Sequence, residues 1–282
     1  MTLSPAQLAS FQRDGYVVLE GFTTAAACDA LRGQASRLLA RFQPEQISVF
    51  RAHDGSLNSD AYFLDSGDKI RCFFEEGAWD AEGKPTRPLV QSINKIGHAL
   101  HDLDETFDRF SRAPEVCALV GQLGLHEPLA LQSMYIFKQP YIGGEVTYHQ
   151  DATYLYTRPS SVIGLWWALE DATIENGCLR AWPGGHHIGL VSRLIREPDS
   201  TTRYEVYRDA PWPEERFVPL EVTQGTLILL HGLLPHASGP NRSARSRHAY
   251  SLHIIDGACE YPADNWLRRS PSLPLRGFVG PG

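Results

Sequence analysis

Ala130-Leu-Gln-Ser-Met-Tyr-Ile-Phe137 and Val162-Ile-Gly-Leu-Trp-Trp-Ala-Leu169 decide how this chain folds. Each is a short apolar run, rich in β-branched and aromatic side chains, and each reads as a strand. The same texture recurs in Cys178-Leu-Arg-Ala-Trp182, Gly225-Thr-Leu-Ile-Leu-Leu230 and His248-Ala-Tyr-Ser-Leu-His-Ile-Ile255. Several short strands separated by turn residues predict a β-sandwich or barrel. Upstream of Gly124 the pattern is different. Ser4-Pro5 reads as an N-cap with proline at the first helical position, Leu8 and Phe11 share a face, and Asp14-Gly15 stops the helix. Tyr16-Val-Val-Leu19 reads as a strand. Thr23 or Thr24 caps a second helix that carries Cys28, Leu31, Ala35, Leu38 and Leu39. Residues 43–88 read as irregular around one strand, Lys69-Ile-Arg-Cys-Phe-Phe74. Residues 90–123 read as helical on the stripe Ile93, Ile96, Leu100 and Leu103. Residues 190–216 are charged and weakly periodic, and read as a lid-like insertion. The expectation is one domain over 1–282, with a mainly helical layer (1–123) followed by a β core (124–262). The fold class is thus an all-β core with flanking helices (α+β).

Composition narrows the function. The chain has 282 residues, 43 % hydrophobic and 21 % charged, close to the globular average, so disorder is excluded as the main state. A net charge of −7 argues against binding to a phosphate backbone. No apolar run reaches the ~18 residues of a membrane span, and the start lacks the pattern of a secretory signal. Five dispersed cysteines, with no Cys-x-x-Cys pair, read as reduced thiols in a cytoplasmic protein and argue against a zinc–cysteine site. The expected partner is a small molecule, with no nucleic acid and no membrane, and the sequence assigns no oligomeric state.

The chemistry concentrates at His149-Gln150-Asp151, the one place where a carboxylate follows a histidine by two. In an extended segment His149 and Asp151 fall on one face. With a second histidine they form the two-His-one-carboxylate facial triad of non-haem Fe(II) oxygenases. His231 and His236 compete for the third place, and each has an arginine eleven residues on, Arg242 and Arg247. Arg242 lies in the turn Gly239-Pro-Asn-Arg-Ser243. Arg247 opens a strand on which Arg247, Ala249, Ser251 and His253 share a face. A guanidinium facing into a barrel needs an anion, and its planar fork suits a carboxylate. The expected ligand is therefore His236, which follows the strand Thr226–Leu230, and His231 is expected to be a hydrogen-bonded structural residue.

These residues resemble a known family. His149-Gln-Asp151, Asn176-Gly-Cys-Leu179, Pro183-Gly-Gly-His186, His236 and Arg247 look like the phytanoyl-CoA hydroxylase (phytanoyl-CoA dioxygenase) family of Fe(II)/2-oxoglutarate-dependent oxygenases. So does the opening Phe11-x-x-Asp-Gly-Tyr-Val-Val-Leu19. Asp68-Lys-Ile-Arg71, Asn94-Lys-Ile-Gly-His-Ala-Leu100, Phe137-Lys-Gln-Pro140, Gly143-Gly-Glu-Val146 and Glu170-Asp-Ala-Thr173 are similar to its phytanoyl-CoA dioxygenase domain-containing protein 1 group. The resemblance spans roughly residues 5–270 and implies a double-stranded β-helix, the jelly roll of cupin-like proteins. It implies Fe(II) held by His149, Asp151 and His236, with 2-oxoglutarate and O₂ as co-substrates. By position it also implies that Arg247 pairs with the far carboxylate of 2-oxoglutarate, and that Trp166, Ser238, Met134 and Lys95 contact that co-substrate, Lys95 from the helical layer. Family halogenases lack the carboxylate, so Asp151 implies hydroxylation of a C–H bond, while desaturation and ring formation stay open. Pro183-Gly-Gly-His186 departs from the commoner Pro-Gly-Ser-His.

Other residues carry plainer expectations. One of Trp166 and Trp167 is core, Phe73 and Phe74 are core, and His186 and His187 serve a turn. Lys138 either lines the pocket or caps a strand. Tyr148, Gln150 and Thr153 flank the metal motif and shape its surroundings. Arg193, Arg196, Arg203 and Arg208 could attract an acidic substrate, but Glu197, Asp199, Glu205 and Asp209 among them favour a salt-bridged, solvated face. The readings from other classes are a non-catalytic jelly-roll metal-binding or sensing module and a zinc hydrolase. The second leaves Arg247 unexplained and lacks a general base.

Overall fold

The computed structural model describes residues 2–44, 47–50, 60–80, 82 and 84–278. The two opening runs become the strands Pro128–Ile136 and Ile163–Ala168. Among the described residues they belong to a nine-stranded sheet. Its order is Tyr16–Leu19, Leu227–His231, Ile163–Ala168, Ala249–Asp256, Pro128–Ile136, Ile93–His98, Ile70–Glu75 and Val49–Phe50, with Arg276–Gly277 also paired to Pro128–Ile136. A second sheet runs Val218–Leu220, Leu179–Ala181, His236–Ser238 and Val146–His149. All its pairings are antiparallel, and a cavity lined from both sheets separates the two. This is the expected jelly roll.

The alternation of side chains sorts the large sheet into two faces. Leu165 and Trp167, with Tyr250 and Leu252 on the neighbouring strand, join an apolar cluster with helix residues Phe11, Leu31, Leu39, Phe107 and Leu119. Trp167 is fully buried there, 5.7 Å from Tyr250 and 5.2 Å from Phe110 between ring centroids. The intervening Trp166 and Ala168, with Ala249, turn inward to Leu179, Ala181 and Leu220 of the small sheet. One tryptophan of the pair is therefore core and the other belongs to the cavity.

The first helix is Pro5–Asp14. Ser4 and Gln7 form a capping box, and Gly15 ends the helix at φ +80°, a conformation that only glycine adopts freely. The second is Ala25–Arg41, capped by Thr24. Of the stretch 90–123, only Leu100–Leu103, Glu105–Ser111 and Pro114–Val120 are α-helical. Ile93–His98 is a strand, which corrects the helical stripe and places Lys95 in the sheet. Both faces of that strand are buried, so it lacks the alternation that marks a half-exposed strand. In 43–88 the expected strand is present as Ile70–Glu75, beside the short helix Ala61–Leu64. The irregular reading also covers 45–46, 51–59, 81 and 83, which lie outside the described residues, as do 1 and 279–282.

The insertion is a hairpin of Ser192–Arg196 and Thr202–Val206. Arg203 is half-exposed on Glu197 (2.5 Å), as expected of a solvated face. Arg193 and Arg196 are buried instead. Arg193 pairs with Asp264, and Arg196 donates to the Leu64 carbonyl (2.9 Å) and to Asp65 (3.0 Å). Those partners neutralise the guanidinium charges and make the burial tolerable. Leu194 and Tyr204, cross-strand neighbours in this hairpin, line the cavity.

Candidate metal centre and co-substrate pocket

His149 ends the strand Val146–His149 and His236 opens the strand His236–Ser238, directly opposite each other in register. Their ring centroids are 4.3 Å apart. Gln150 keeps the backbone extended, and Asp151 then begins the short helix Asp151–Tyr154. Asp151 Oδ1 lies 3.9 Å from His149 Nε2 and 3.7 Å from His236 Nε2. One ligand atom from each residue falls within 4.8 Å of the other two, the geometry of a cation site. Gln150, fully buried, points away from it. Its amide donates to the Gly189 and Leu233 carbonyls (2.8 and 2.7 Å) and accepts from Val191 N (2.8 Å), clamping the loop that carries the ligands.

The histidines are tautomerically set for a metal. His149 Nδ1 lies 2.8 Å from the Thr147 carbonyl, and His236 Nδ1 lies 3.0 Å from the Leu234 carbonyl. A carbonyl only accepts, so each Nδ1 carries the proton and each Nε2 lone pair faces Asp151. Burial lowers the His149 pKa to about 4, which keeps that lone pair available at neutral pH. Burial alone would raise the Asp151 carboxyl, but His253, His236 and His149 hold it below the ordinary carboxylate range. His253 Nε2 lies 3.3 Å from Asp151 Oδ2. A Cβ at Gly164 would sit 3.0 Å from that same oxygen. Gly164→Ala is therefore expected to displace the carboxylate and weaken Fe(II) binding about tenfold with little change in Tm, as read by metal titration and thermal melts.

Arg247 is 2 % exposed. Its Nη2 donates to Ser238 Oγ (3.2 Å), whose own proton goes to the Gly177 carbonyl (3.1 Å). Its Nε and Nη1 have no acceptor among the described residues, and its guanidinium carbon is 5.2 Å from the Trp166 ring centre. Burial lowers its pKa to about 10, so it is charged and lacks a counter-ion. The residues fit the implied groups. Two imidazole lone pairs and a carboxylate suit a divalent cation, and an unpaired guanidinium edge suits a carboxylate.

Trp166, Ser238, Met134 and Lys95 all line the same cavity, which has a volume of about 220 Å³. Lys138 lines it too, the pocket reading of the two, and its Nζ donates to the Gly144 carbonyl (2.6 Å). His231 stands outside the triad. Its Nδ1 accepts from Leu233 N (3.1 Å) and its ring packs near Phe11 and His186. His186, in the helical turn Gly185–Ile188, donates from Nε2 to the Gln12 carbonyl of the first helix (3.1 Å). Tyr148 packs on Phe217 and Arg180, and Thr153 is buried. Phe73 and Phe74 are core. Sequence reasoning missed His98, Tyr154 and Trp266, which also line the cavity. It placed His253 on the Arg247 face without giving it a role.

A family model described as phytanoyl-CoA dioxygenase (PhyH) matches residues 11–249. The chain belongs to the phytanoyl-CoA dioxygenase family. Within it, the mouse phytanoyl-CoA dioxygenase domain-containing protein 1 is 45 % identical, over 97 % of each chain. The Dictyostelium discoideum homologue is 42 % identical, over 95 % of this chain and 97 % of its own. Among solved structures, EctD from S. alaskensis with 2-oxoglutarate and 5-hydroxyectoine matches at 22 % identity with a TM-score of 0.64. That match covers 99 % of this chain and 86 % of EctD. The carbocyclase SnoK from nogalamycin biosynthesis matches at 18 % with a TM-score of 0.66, over 98 % and 94 % of the two chains. At these identities the two structures report the fold alone. Membership of the phytanoyl-CoA dioxygenase family, with the His-Asp-His cluster, makes this chain a 2-oxoglutarate-dependent non-haem iron oxygenase that uses Fe(II), 2-oxoglutarate and O₂.

Proposed function

We propose that the enzyme hydroxylates a C–H bond of a small organic substrate, with Fe(II) on His149, Asp151 and His236 and the far carboxylate of 2-oxoglutarate on Arg247. The buried, unpaired edge of Arg247, in the same cavity as the three ligands, is the observation that carries this reading. Bound Fe(II) supplies the activation of O₂ at the expense of 2-oxoglutarate, which leaves as succinate and CO₂. The chain's own work is holding and excluding. The Nε2 lone pairs of His149 and His236 and the Asp151 carboxylate would hold the cation at the wall of the cavity. Arg247, braced by Ser238, fixes the far end of the co-substrate, while Trp166 and Met134 wall its path against water. Leu194 and Tyr204 of the hairpin cover the substrate. Lys95, expected from sequence to touch the co-substrate, lines the same cavity from the strand Ile93–His98. It is opposite Ile136, which is opposite Ala249, two strands or about 10 Å across the sheet.

The net charge of −7 and the small enclosed cavity favour a small molecule over nucleic acid or a membrane surface, and no described helix is long and apolar enough to cross a bilayer. Five unpaired cysteines fit the reducing cytoplasm. We read the whole chain as one catalytic domain. In the absence of oxygen, Fe(II) plus 2-oxoglutarate is expected to give a weak visible charge-transfer band, and admission of air to release succinate. His236→Ala is expected to abolish both and His231→Ala to leave both intact. A wild-type protein that gives neither signal, or a His236→Ala variant that keeps them, overturns the proposal.

A further inference from the structure

The Asp151 carboxylate is divided between two sets of neighbours. Its Oδ1 faces His149 Nε2 and His236 Nε2, at 3.9 and 3.7 Å, while its Oδ2 lies 3.3 Å from His253 Nε2. His253 comes from the strand Ala249–Asp256 of the large sheet, is 5 % exposed and lines the cavity. A carboxylate oxygen only accepts, so this contact requires the His253 proton on Nε2. At 3.3 Å it lies just beyond the usual N–H···O range, and it orients the carboxylate by attraction between dipole and charge more than by a short bond. Nδ1 is then the bare nitrogen of the neutral ring, and it is buried with no partner among the described residues. A buried acceptor without a donor costs stability, and a leucine of similar size would not carry that cost. Packing alone therefore does not account for an imidazole at this place. The Nε2 contact does.

The backbone leaves room for the same contact. Gly164 is directly opposite His253 in the ladder between the strands Ile163–Ala168 and Ala249–Asp256. A Cβ at Gly164 would stand 3.0 Å from Asp151 Oδ2 and 3.6 Å from His253 Nε2. The strand Ile163–Ala168 is buried along its whole length and otherwise carries Ile163, Leu165, Trp166, Trp167 and Ala168. Its glycine falls where the carboxylate and the imidazole meet.

We propose that His253 is a positioning residue of the metal centre, which holds Asp151 Oδ2 aside so that the carboxylate offers Oδ1 alone to the cation. Carboxylates bind metals through one oxygen or through both. Binding through both would take a second coordination position, and the facial triad works by leaving positions open for the co-substrate and O₂. His253 thus guards the open position without touching what fills it. The proposal rests on the reading that His149, Asp151 and His236 hold the metal.

The test uses Co(II) alone as probe, because its visible d–d bands report its coordination sphere. The wild-type protein is expected to bind Co(II) with bands that vanish in His236→Ala. His253→Leu is expected to weaken Co(II) binding about tenfold or more and to shift the bands. His253→Asn keeps a polar side chain of shorter reach, and is expected to behave like the leucine variant. His253→Gln places an N–H near the position of Nε2, and is expected to restore most of the affinity and the wild-type bands. Thermal melts of the metal-free proteins accompany each titration. A purely structural role for His253 predicts the opposite pattern, a change in Tm with affinity and bands unmoved. That pattern overturns the proposal and leaves the triad standing, as does a glutamine variant no better than the asparagine one. A wild type without Co(II) bands, or with bands that survive His236→Ala, removes the metal from the triad and overturns both readings.

Discussion

Arg247→Met is expected to make the ligand-free enzyme more stable while destroying its hold on 2-oxoglutarate. The guanidinium is buried with two N–H groups unpaired, so in the free protein it is a charge taken out of water with one hydrogen bond in return. Replacing such a group by an apolar side chain of similar length is stabilising by about 1–3 kcal/mol. The same change deletes the partner of a buried carboxylate, which costs about 2–5 kcal/mol of binding and weakens 2-oxoglutarate between about 30- and 5,000-fold. The two effects separate in one experiment. Wild-type protein melts higher when 2-oxoglutarate is added, because the ligand binds the folded state alone. The variant starts from a higher Tm and shows no such shift. Arg247→Lys is expected to recover little, since a single ammonium does not reproduce the fork. An unchanged 2-oxoglutarate affinity in Arg247→Met would remove Arg247 from the co-substrate site.

How much of this was legible in the sequence depends on where each residue's constraint lies. The triad was readable because two ligands are two residues apart, and because the third had to follow a strand and precede an arginine that faces inward. His236 beat His231 on local grounds alone, and the register of His236 against His149 agrees. The strand Ile93–His98 was not readable. Ile93, Ile96, Leu100 and Leu103 recur at three and four residues, the spacing of a helix, yet the strand ends at His98 and only Leu100 and Leu103 are helical. A strand buried on both faces gives no period of two to compete with that signal. That misreading hid the place of Lys95 and His98 in the sheet. The role of Leu194 and Tyr204 was hidden for another reason. They meet across a hairpin, and no spacing along one strand announces that contact. Hydrophobic patterning names the face a residue takes within its own element, and pairing between elements decides which faces share a cavity.

Asp102→Ala is expected to cause a large loss of stability at a site away from the cavity. The Asp102 side chain is fully buried, and three arginines converge on it. Arg112 Nη2 lies 2.8 Å away, Arg269 Nη1 2.9 Å and Arg276 Nε 2.9 Å. Arg269 Nη2 also donates to His101 Nε2 (2.8 Å), so that imidazole is neutral and the arginines supply the charge. The cluster fastens the returning C-terminal segment to the helices after Ile93–His98. Removing the carboxylate leaves three cations facing one another. Because Arg276 is 45 % exposed and Arg112 14 %, the low end of the range for a broken buried pair applies, about 3 kcal/mol. In a chain of this length that is a fall in Tm of about 6–12 °C. None of the four residues lines the cavity, so succinate release below the transition is expected to stay near wild type. The pH dependence gives a second check. Burial alone would raise the Asp102 carboxyl, but His101, Arg269 and Arg276 outweigh it and hold the pKa well below its ordinary value. A carboxyl that is more acidic folded than unfolded adds stability that is complete above the unfolded pKa, about 4. That stability drains away as the pH falls further toward the folded pKa. Urea titrations from pH 7 down to 3 should therefore show wild type losing stability below about pH 4 more steeply than Asp102→Asn. Parallel curves for the two proteins would show that the arginines do not depend on this carboxylate.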